Sequence, residues 1–210
     1  MFPTEHETST PIHYRTLIGF VQHTDRILAD GFVPNEVDIL YSYTPTIGLD
    51  EHLVRLGKQL YGIQELPGHH IFRRRWKDFF RYTSVIVFLI DLCELCDGAF
   101  YTGHLKNKTT AIFEELVKNE HLKNVGFILF FNKKDAFDEQ SRGFDFKQLA
   151  SNVRSAEEAL AFYRTSFTAI SPKRSYHHVV SLLDAPNLGN IVTESLNRIF
   201  QYNAQIITSV

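Results

Sequence analysis

The residues best suited to chemistry follow an apolar run at positions 125–131 and read Asn-Lys-Lys-Asp at positions 132–135. The run is rich in aromatic and branched side chains, which is typical of a strand covered on both faces. An Asp carboxylate after such a strand accepts two hydrogen bonds, which matches the paired N1–H and amino donors of guanine, whereas adenine lacks this pair. A pocket built for those donors rejects the wrong base strongly. The pattern N-K-x-D therefore predicts a guanine site formed by Asn132, Lys133 and Asp135.

The only two cysteines of the sequence, Cys93 and Cys96, form a single C-x-x-C pair after another apolar run. The spacing is compatible with a redox pair or with half of a zinc site. A zinc site would need two further ligands, and nothing nearby supplies both. A purely structural role for both thiols is favoured.

The composition restricts the class of protein. With 44% hydrophobic residues and a net charge of -2, the chain is predicted to be globular and not a general binder of nucleic acid. No apolar run approaches the ~20 residues that span a bilayer, so no transmembrane segment is expected. The first ten residues are polar, unlike a signal peptide, and Phe2 excludes the N-myristoylation pattern. These features predict a cytoplasmic protein.

Periodicity divides the chain into alternating helices and strands. Strand, helix, strand, helix, strand, helix indicates a parallel α/β sheet, whose ligands lie at the carboxyl ends of the strands. The predicted helices cover residues 14–28, 35–40, 71–82, 109–119, 156–166 and 188–203. The predicted strands cover a hairpin within 51–64 that turns at Gly57-Lys58, then 84–91, 125–131 and 178–183.

The order and spacing of these segments resemble the C-terminal part of a heterotrimeric G-protein alpha subunit. The resemblance extends from about Gly19 to Val210 and is strongest at the N-K-K-D turn. It implies an incomplete Ras-like P-loop NTPase sheet with helices on both faces, preceded by a remnant of the family's helical domain. Residues 1–42 would be that N-terminal remnant. Residues 43–210 would be a truncated Ras-like GTPase domain without its first strand and phosphate-binding loop.

The resemblance also implies roles for residues outside the N-K-K-D turn. Thr46 matches the switch threonine that binds Mg²⁺, and Gly68 matches the glycine whose amide contacts the γ-phosphate of GTP. His69 stands in place of the glutamine that orients the attacking water, as in the P-G-H of translation GTPases. Tyr43 stands where the family has its arginine finger. Ser181 lies in the strand-end loop whose backbone contacts guanine.

No G-x-x-x-x-G-K-[ST] phosphate loop occurs in the 210 residues. Charged hydrogen bonds to phosphate are worth about 1.5–3 kcal/mol each, so its loss weakens GTP and GDP binding. We therefore expect hydrolysis to be weak or absent. The missing strand leaves a slot beside residues 84–91: either the hairpin pairs there directly or two strand edges stay open.

Two functions follow from the resemblance. The first is a signal transducer that binds GTP or GDP with Mg²⁺ in receptor signalling. The second is a non-catalytic pseudo-GTPase module that docks a partner, with Arg75, Trp76 and Phe79 facing a beta-gamma dimer. The C-terminal helix resembles the element that contacts a seven-helix receptor. Such partners would also hold the chain at the inner face of the plasma membrane.

Overall fold

The computed structural model describes residues 14–42, 46–68, 71–97, 108–172, 174–183 and 185–208. The chain divides into two compact units. One comprises Met1–Leu49 and Glu65–Pro67, and the other comprises Asp50–Gln64 and Gly68–Val210. The predicted parallel sheet and the N-K-K-D turn both belong to the second unit.

The first unit begins with two helices where the sequence predicts one over residues 14–28. Helix α1 spans Tyr14–Gln22 and helix α2 spans Thr24–Ile27. The backbone leaves helical geometry at His23, with φ -120° and ψ 17°. The Thr24 hydroxyl donates to the carbonyl of Phe20 at 2.8 Å, and such a local side-chain bond competes with continuous helix. The prediction of one unbroken helix is therefore wrong.

The short helix predicted at residues 35–40 is confirmed as α3, Glu36–Tyr41. Asn35 caps it, because its side chain accepts from the amide of Asp38 at 2.9 Å while the Asp38 carboxylate accepts from the amide of Asn35 at 2.8 Å. The same carboxylate accepts from the guanidinium of Arg26 at 2.9 Å. Hydrogen bonds from Arg26, and then from Asn35, lower the pKa of Asp38 to about 2. The ion pair between Arg26 and Asp38 thus joins helix α2 to helix α3.

The hairpin prediction is confirmed. Strand β1 spans Asp50–Leu56 and strand β2 spans Gln59–Glu65. Gly57 has φ +59°, the left-handed conformation that a tight two-residue turn requires and that glycine adopts without strain. Adjacent strands joined by so short a turn can only run antiparallel.

The helix predicted over residues 71–82 is wrong as a continuous element. The structure has a 3₁₀ turn at Arg73–Arg75 and then one α-helical turn, α4, at Lys77–Phe80. The residue before the first turn, Phe72, offers no side-chain cap, and three adjacent guanidinium groups repel one another. Trp76 separates the two turns and packs against the main core.

A parallel three-stranded sheet forms the centre of the second unit, as predicted. Strand β3 spans Val85–Asp91, β4 spans Gly126–Asn132 and β5 spans Ser175–Val179, in the order β3-β4-β5. Asp91 is the register partner of Asn132, so these two strands end side by side.

The position predicted for the last strand, 178–183, is wrong. The strand ends at Val179, and both of its histidines contact serine hydroxyls outside the strand: Ser171 contacts His177, and Ser195 contacts His178. A polar strand of this kind lacks the apolar pattern that sequence reasoning uses.

Helices cover both faces of the sheet. On one face lie α5 (Lys108–Val117) and α7 (Ala156–Ile170), which confirm the helices predicted at 109–119 and 156–166. On the other lies α8 (Ala185–Thr208), which begins ahead of the predicted residue 188. A short helix, α6 (Lys134–Gln140), follows β4.

Strand β4 alternates between two cores and is almost completely buried. Phe127 and Phe131 enter the larger core, where Phe131 makes an edge contact with Phe167 at 5.4 Å between ring centroids. Phe130 enters the smaller core with Ile199 of α8. A Cβ at Gly126 would lie 2.5 Å from Cγ2 of Ile199, so the helix touches the backbone here.

Among the described residues, one face of strand β3 packs against the larger core, whereas the other packs against the smaller core at its start, through Val85. Phe88 and Ile90 pack in the larger core, whereas Val87 is 49% exposed and Leu89 is 55% exposed. The prediction that β3 is covered on both faces is wrong for this reason. Strand β3 is the outer strand of the three that pair here.

The hairpin forms a separate two-stranded sheet and does not pair with β3 in the part of the chain that the structure describes. Direct pairing of the hairpin with residues 84–91, one of the predicted alternatives, is therefore wrong. Leu56 and Tyr61 pack instead against the smaller core, and the ring of Tyr61 stacks on Phe200 of α8 at 6.2 Å between centroids.

Among the described helices, none is both long enough and apolar enough to span a bilayer.

Candidate functional site

The candidate site lies where the three parallel strands end. Strand β4, in the middle, ends at Asn132 and leads into the predicted N-K-K-D turn, residues 132–135, which we call the base turn. Asp91 ends β3 beside it, and the loop after β5 runs through Ser181. Ligands of open parallel sheets bind at this end of the strands.

The base turn is hydrogen bonded to the loop after β5. The side-chain oxygen of Asn132 accepts from the amide of Leu182 at 3.0 Å. The amide of Lys134 donates to the carbonyl of Val180 at 3.2 Å. Two strand ends that the sequence selected separately, at 132–135 and near Ser181, are therefore joined directly.

On its other side the base turn is linked to β3 through Lys133. The ammonium of Lys133 donates to a carboxylate oxygen of Asp91 at 2.5 Å. The second oxygen of Asp91 accepts from the amide of Cys93 at 2.9 Å and so begins the 3₁₀ turn Leu92–Cys96. The Lys133 side chain is 22% exposed and that of Asp91 is 42% exposed, so the pair is partly shielded from water.

Lys133 has φ 63° and ψ 36°, and among the described residues it is the one non-glycine residue with positive φ. For a residue with a Cβ this left-handed conformation is unfavourable by about 1–2 kcal/mol. Such outliers persist where surrounding contacts hold them, and they occur often at functional sites. Here the contacts are the ion pair to Asp91 and the hydrogen bond from Lys134.

Asp135 lies in the first turn of α6 and is half-buried. Ala136 and Phe137, which follow it, are buried and fix the helix against the core. Lys134 points away from this core and forms an i,i+4 ion pair with Asp138. The arrangement gives Asp135 a rigid backbone, which a residue that reads the edge of a base requires.

A buried polar group that sequence reasoning missed lies behind Asp91. The carboxylate of Glu94 accepts from the hydroxyl of Tyr163 at 2.5 Å and from Thr109 at 2.9 Å. Burial is the main cause that raises the pKa of Glu94, and it also raises the pKa of Tyr163. The group joins the 3₁₀ turn after β3 to helices α5 and α7. Its members are too far apart in sequence for spacing to reveal them.

Both cysteines are free thiols. Burial raises the pKa of Cys93 to about 12 and that of Cys96 to about 11. Thiols with such values are protonated near pH 7 and react slowly. The described residues contain no cluster of His, Cys, Asp and Glu side chains that could hold a metal ion.

The residues assigned to the phosphate end of the ligand belong to different units. Within the first unit, the hydroxyl of Thr46 donates to the carboxylate of Glu65 at 2.6 Å. Within the second unit, the carbonyl of Gly68 accepts from the side chain of Arg73 at 3.0 Å. Tyr43 and His69 lie outside the described residues.

The predicted partner-binding residues differ in exposure. Arg75 is exposed, whereas Trp76 and Phe79 are half-buried. Trp76 packs against the larger core, so part of its apolar surface stabilises the fold itself.

A family model described as the G-protein alpha subunit matches residues 4–199 of the chain. The chain belongs to the G-protein alpha subunit family. The match extends across almost the whole sequence, and the structure agrees with it in having a mixed α/β architecture with a parallel sheet.

Individual relatives are distant. The guanine nucleotide-binding protein alpha-2 subunit of Caenorhabditis briggsae is 27% identical over 88% of this chain and 54% of that protein. The alpha-4 subunit of Dictyostelium discoideum is 27% identical over 80% of this chain and 51% of that protein. The alpha-8 subunit of Caenorhabditis elegans is 25% identical over 90% and 54%, respectively. The chain thus spans about half the length of the curated relatives it matches.

Proposed function

We propose that this divergent G-protein alpha subunit binds guanine nucleotide through the base turn and acts in signal transduction. The main support is that Asn132 and Lys133 tie the turn to both neighbouring strand ends. A turn held from both sides keeps the Asp135 carboxylate in a fixed direction before the ligand arrives. Preorganisation of this kind lowers the entropy lost on binding.

In this proposal Asp135 accepts from N1–H and the amino group of guanine. The backbone of the loop at Ser181 donates to the guanine oxygen, and the Leu182 bond to Asn132 holds that loop in place. Gly68 offers its amide to the terminal phosphate. Asn132 acts on the loop and has no need to touch the base.

The residues present fit guanine better than they fit a triphosphate. The sequence contains no phosphate-loop motif, and the described residues hold no metal-binding cluster. Thr46 and Glu65 offer two hard oxygens of the type that Mg²⁺ prefers, but Mg²⁺ needs six ligands and usually takes some from phosphate. We therefore propose base-selective binding with little hydrolysis. His69 is the residue proposed to orient the attacking water in any hydrolysis that occurs.

The domain assignment belongs to the same proposal. Residues 1–42 would be the remnant of the family's helical domain, and residues 43–210 a Ras-like domain without its first strand. The three short helices α1 to α3 before the first strand support this division.

A second candidate function is partner docking without catalysis. Three adjacent arginines and the half-buried rings of Trp76 and Phe79 give the segment around Arg75 the composition of an interface hot spot. A beta-gamma dimer is the partner proposed for it, and a receptor is the partner proposed for α8. Such contacts would also place the chain at the inner face of the plasma membrane.

The deciding experiment is titration of the purified chain with a fluorescent GDP analogue, with and without Mg²⁺. We expect binding that is at least ten times weaker in Asp135→Asn and is competed by GDP but not by ADP. Asp138→Asn is the matched control, because it removes a carboxylate of the same helix, one that pairs with Lys134. Equal binding of GDP and ADP would contradict guanine recognition, and no binding together with a stable beta-gamma complex would favour the docking function.

A further inference from the structure

The base turn is joined to the ends of both neighbouring strands by two contacts of different chemistry. Toward β5, a neutral hydrogen bond joins Asn132 to the amide of Leu182. Toward β3, an ion pair joins Lys133 to Asp91. The two strands that carry this pair end in register, because Asp91 is the partner of Asn132. The Lys133 side chain therefore crosses from the end of one strand to the end of the next.

We propose that Asp91 is a positioning residue of the base turn: it holds Lys133 in its left-handed conformation and thereby fixes the direction in which Asp135 enters α6. The role in nucleotide binding rests on the proposed function, but the effect on the turn does not. Asp91 acts through Lys133 and does not contact the base.

The geometry supports this role in two ways. Lys133 immediately precedes α6, and its carbonyl accepts from the amide of Phe137 at 2.9 Å, so its backbone sets the first turn of that helix. The first turn contains Asp135. Loss of the ion pair removes the contact that restrains the side chain of Lys133, and the left-handed backbone becomes easier to leave.

Asp91 has a second contact, and the test must separate the two. One carboxylate oxygen holds Lys133, and the other accepts from the amide of Cys93. An asparagine at this position keeps an oxygen for the Cys93 amide but carries no charge for the ammonium. Asp91→Asn therefore removes the ion pair and can keep the Cys93 contact, whereas Asp91→Ala removes both of these contacts.

The first measurement is amide hydrogen exchange in the chain without nucleotide. The reporters are the amides of Lys134 and Leu182, which donate across the turn, and the internal standard is the amide of Phe127 at the far end of β4. We expect Asp91→Asn and Lys133→Met each to speed exchange of the two reporters about fivefold, the effect of losing one partly shielded ion pair. Phe127 should be unchanged, and Asp138→Asn should leave all three amides unchanged.

The double variant Asp91→Asn with Lys133→Met completes a thermodynamic cycle. We expect it to exchange no faster than either single variant, because both changes break the same contact. The effect should shrink at 0.5 M salt, where charges are screened within a few ångströms. Wild-type exchange in Asp91→Asn would overturn the proposal, and faster exchange in Asp91→Ala alone would then assign the role to the Cys93 contact. Additive effects, or faster exchange at Phe127, would overturn it as well.

The second measurement is the affinity for the fluorescent GDP analogue. Asp91→Asn and Lys133→Met should each weaken it about fivefold, again without additivity. If the unmodified chain binds no analogue, the proposed function fails, and the exchange data still decide whether Asp91 positions the turn. If the analogue binds and Asp91→Asn leaves its affinity unchanged, the positioning role is contradicted while guanine binding stands.

Discussion

His178 of β5 and Ser195 of α8 contact each other at 2.8 Å, between Nε2 and Oγ, beside Phe130 of the smaller core. Ser195 is only 1% exposed, so the imidazole is the partner that satisfies its hydroxyl. Burial, as the largest cause, lowers the pKa of His178 below 6.5. Arg198 and Arg164 lower it further, while Glu194 acts in the opposite direction.

This contact predicts a loss of stability on acidification. Because the folded pKa of His178 is depressed, the unfolded state binds more protons below pH 6.5, so stability falls as pH drops through that value. We expect the free energy of unfolding in urea to depend less on pH between 7.5 and 5.5 for His178→Asn than for the parent chain. The exposed His121→Asn is the matched control, and an equal pH dependence in both variants would contradict the assignment.

Glu94 should make the stability of the fold depend on pH with the sign opposite to that of His178. Burial raises its pKa above 4.5, so the folded state holds the proton more tightly and the carboxyl favours folding less as pH rises through the raised pKa. Glu94→Gln can keep contacts to Tyr163 and Thr109, and we expect it to be at least as stable as the parent near pH 7.5 and to lack this pH dependence. The free energy of unfolding in guanidinium, measured for both chains at pH 5 and 7.5, tests both expectations.

Removal of the Tyr163 hydroxyl should be costly, because it leaves the buried Glu94 carboxylate with one donor fewer. We expect Tyr163→Phe to lower the free energy of unfolding by about 1–3 kcal/mol. Tyr163→Phe in the Glu94→Gln background should cost less, since a neutral amide needs the donor less. Equal costs in both backgrounds would show that the hydroxyl does not serve the charge.

Gly126 tests how closely α8 contacts the sheet. A methyl group there would meet Ile199 at 2.5 Å, and we expect Gly126→Ala to destabilise the chain by about 1–3 kcal/mol. Ile199→Val in the same chain should recover part of the loss, because it removes a methyl group from the contact. Gly62→Ala is the control in a strand with open space around the glycine, and thermal unfolding of the four chains makes the comparison.

The uncovered face of β3 predicts self-association. Val87 and Leu89 of β3 expose apolar side chains, and β3 is the outermost strand of the described sheet. This combination favours pairing between chains. We expect Val87→Lys to lower the fraction of oligomer in sedimentation velocity at high protein concentration. Leu53→Lys, on the exposed face of the hairpin, should lower it less; a larger effect there would move the contact to the hairpin.

Sequence reasoning succeeded where a signal was local. The run 125–131 predicted β4 because both of its faces are buried, and the turn after it was found because the N-K-x-D pattern directly follows that run. The hairpin was found from Gly57, since only a tight turn needs that residue there.

It failed where partners are distant in sequence. Strand β5 is polar because its histidines are satisfied by Ser171 and Ser195, and no pattern within the strand reveals those partners. Asp91 carries no motif, and its role depends on a lysine that only the parallel register brings near. The segment at 71–82 had helical periodicity, but the structure divides it into a 3₁₀ turn and one α-helical turn, and the first of these has no side-chain cap.

The stack of Tyr61 on Phe200 has a mechanical consequence. Tyr61 stacks on Phe200 and packs against the smaller core, so a substitution that loosens α8 also removes support from the hairpin. The first and last elements of the second unit's sequence therefore stabilise each other.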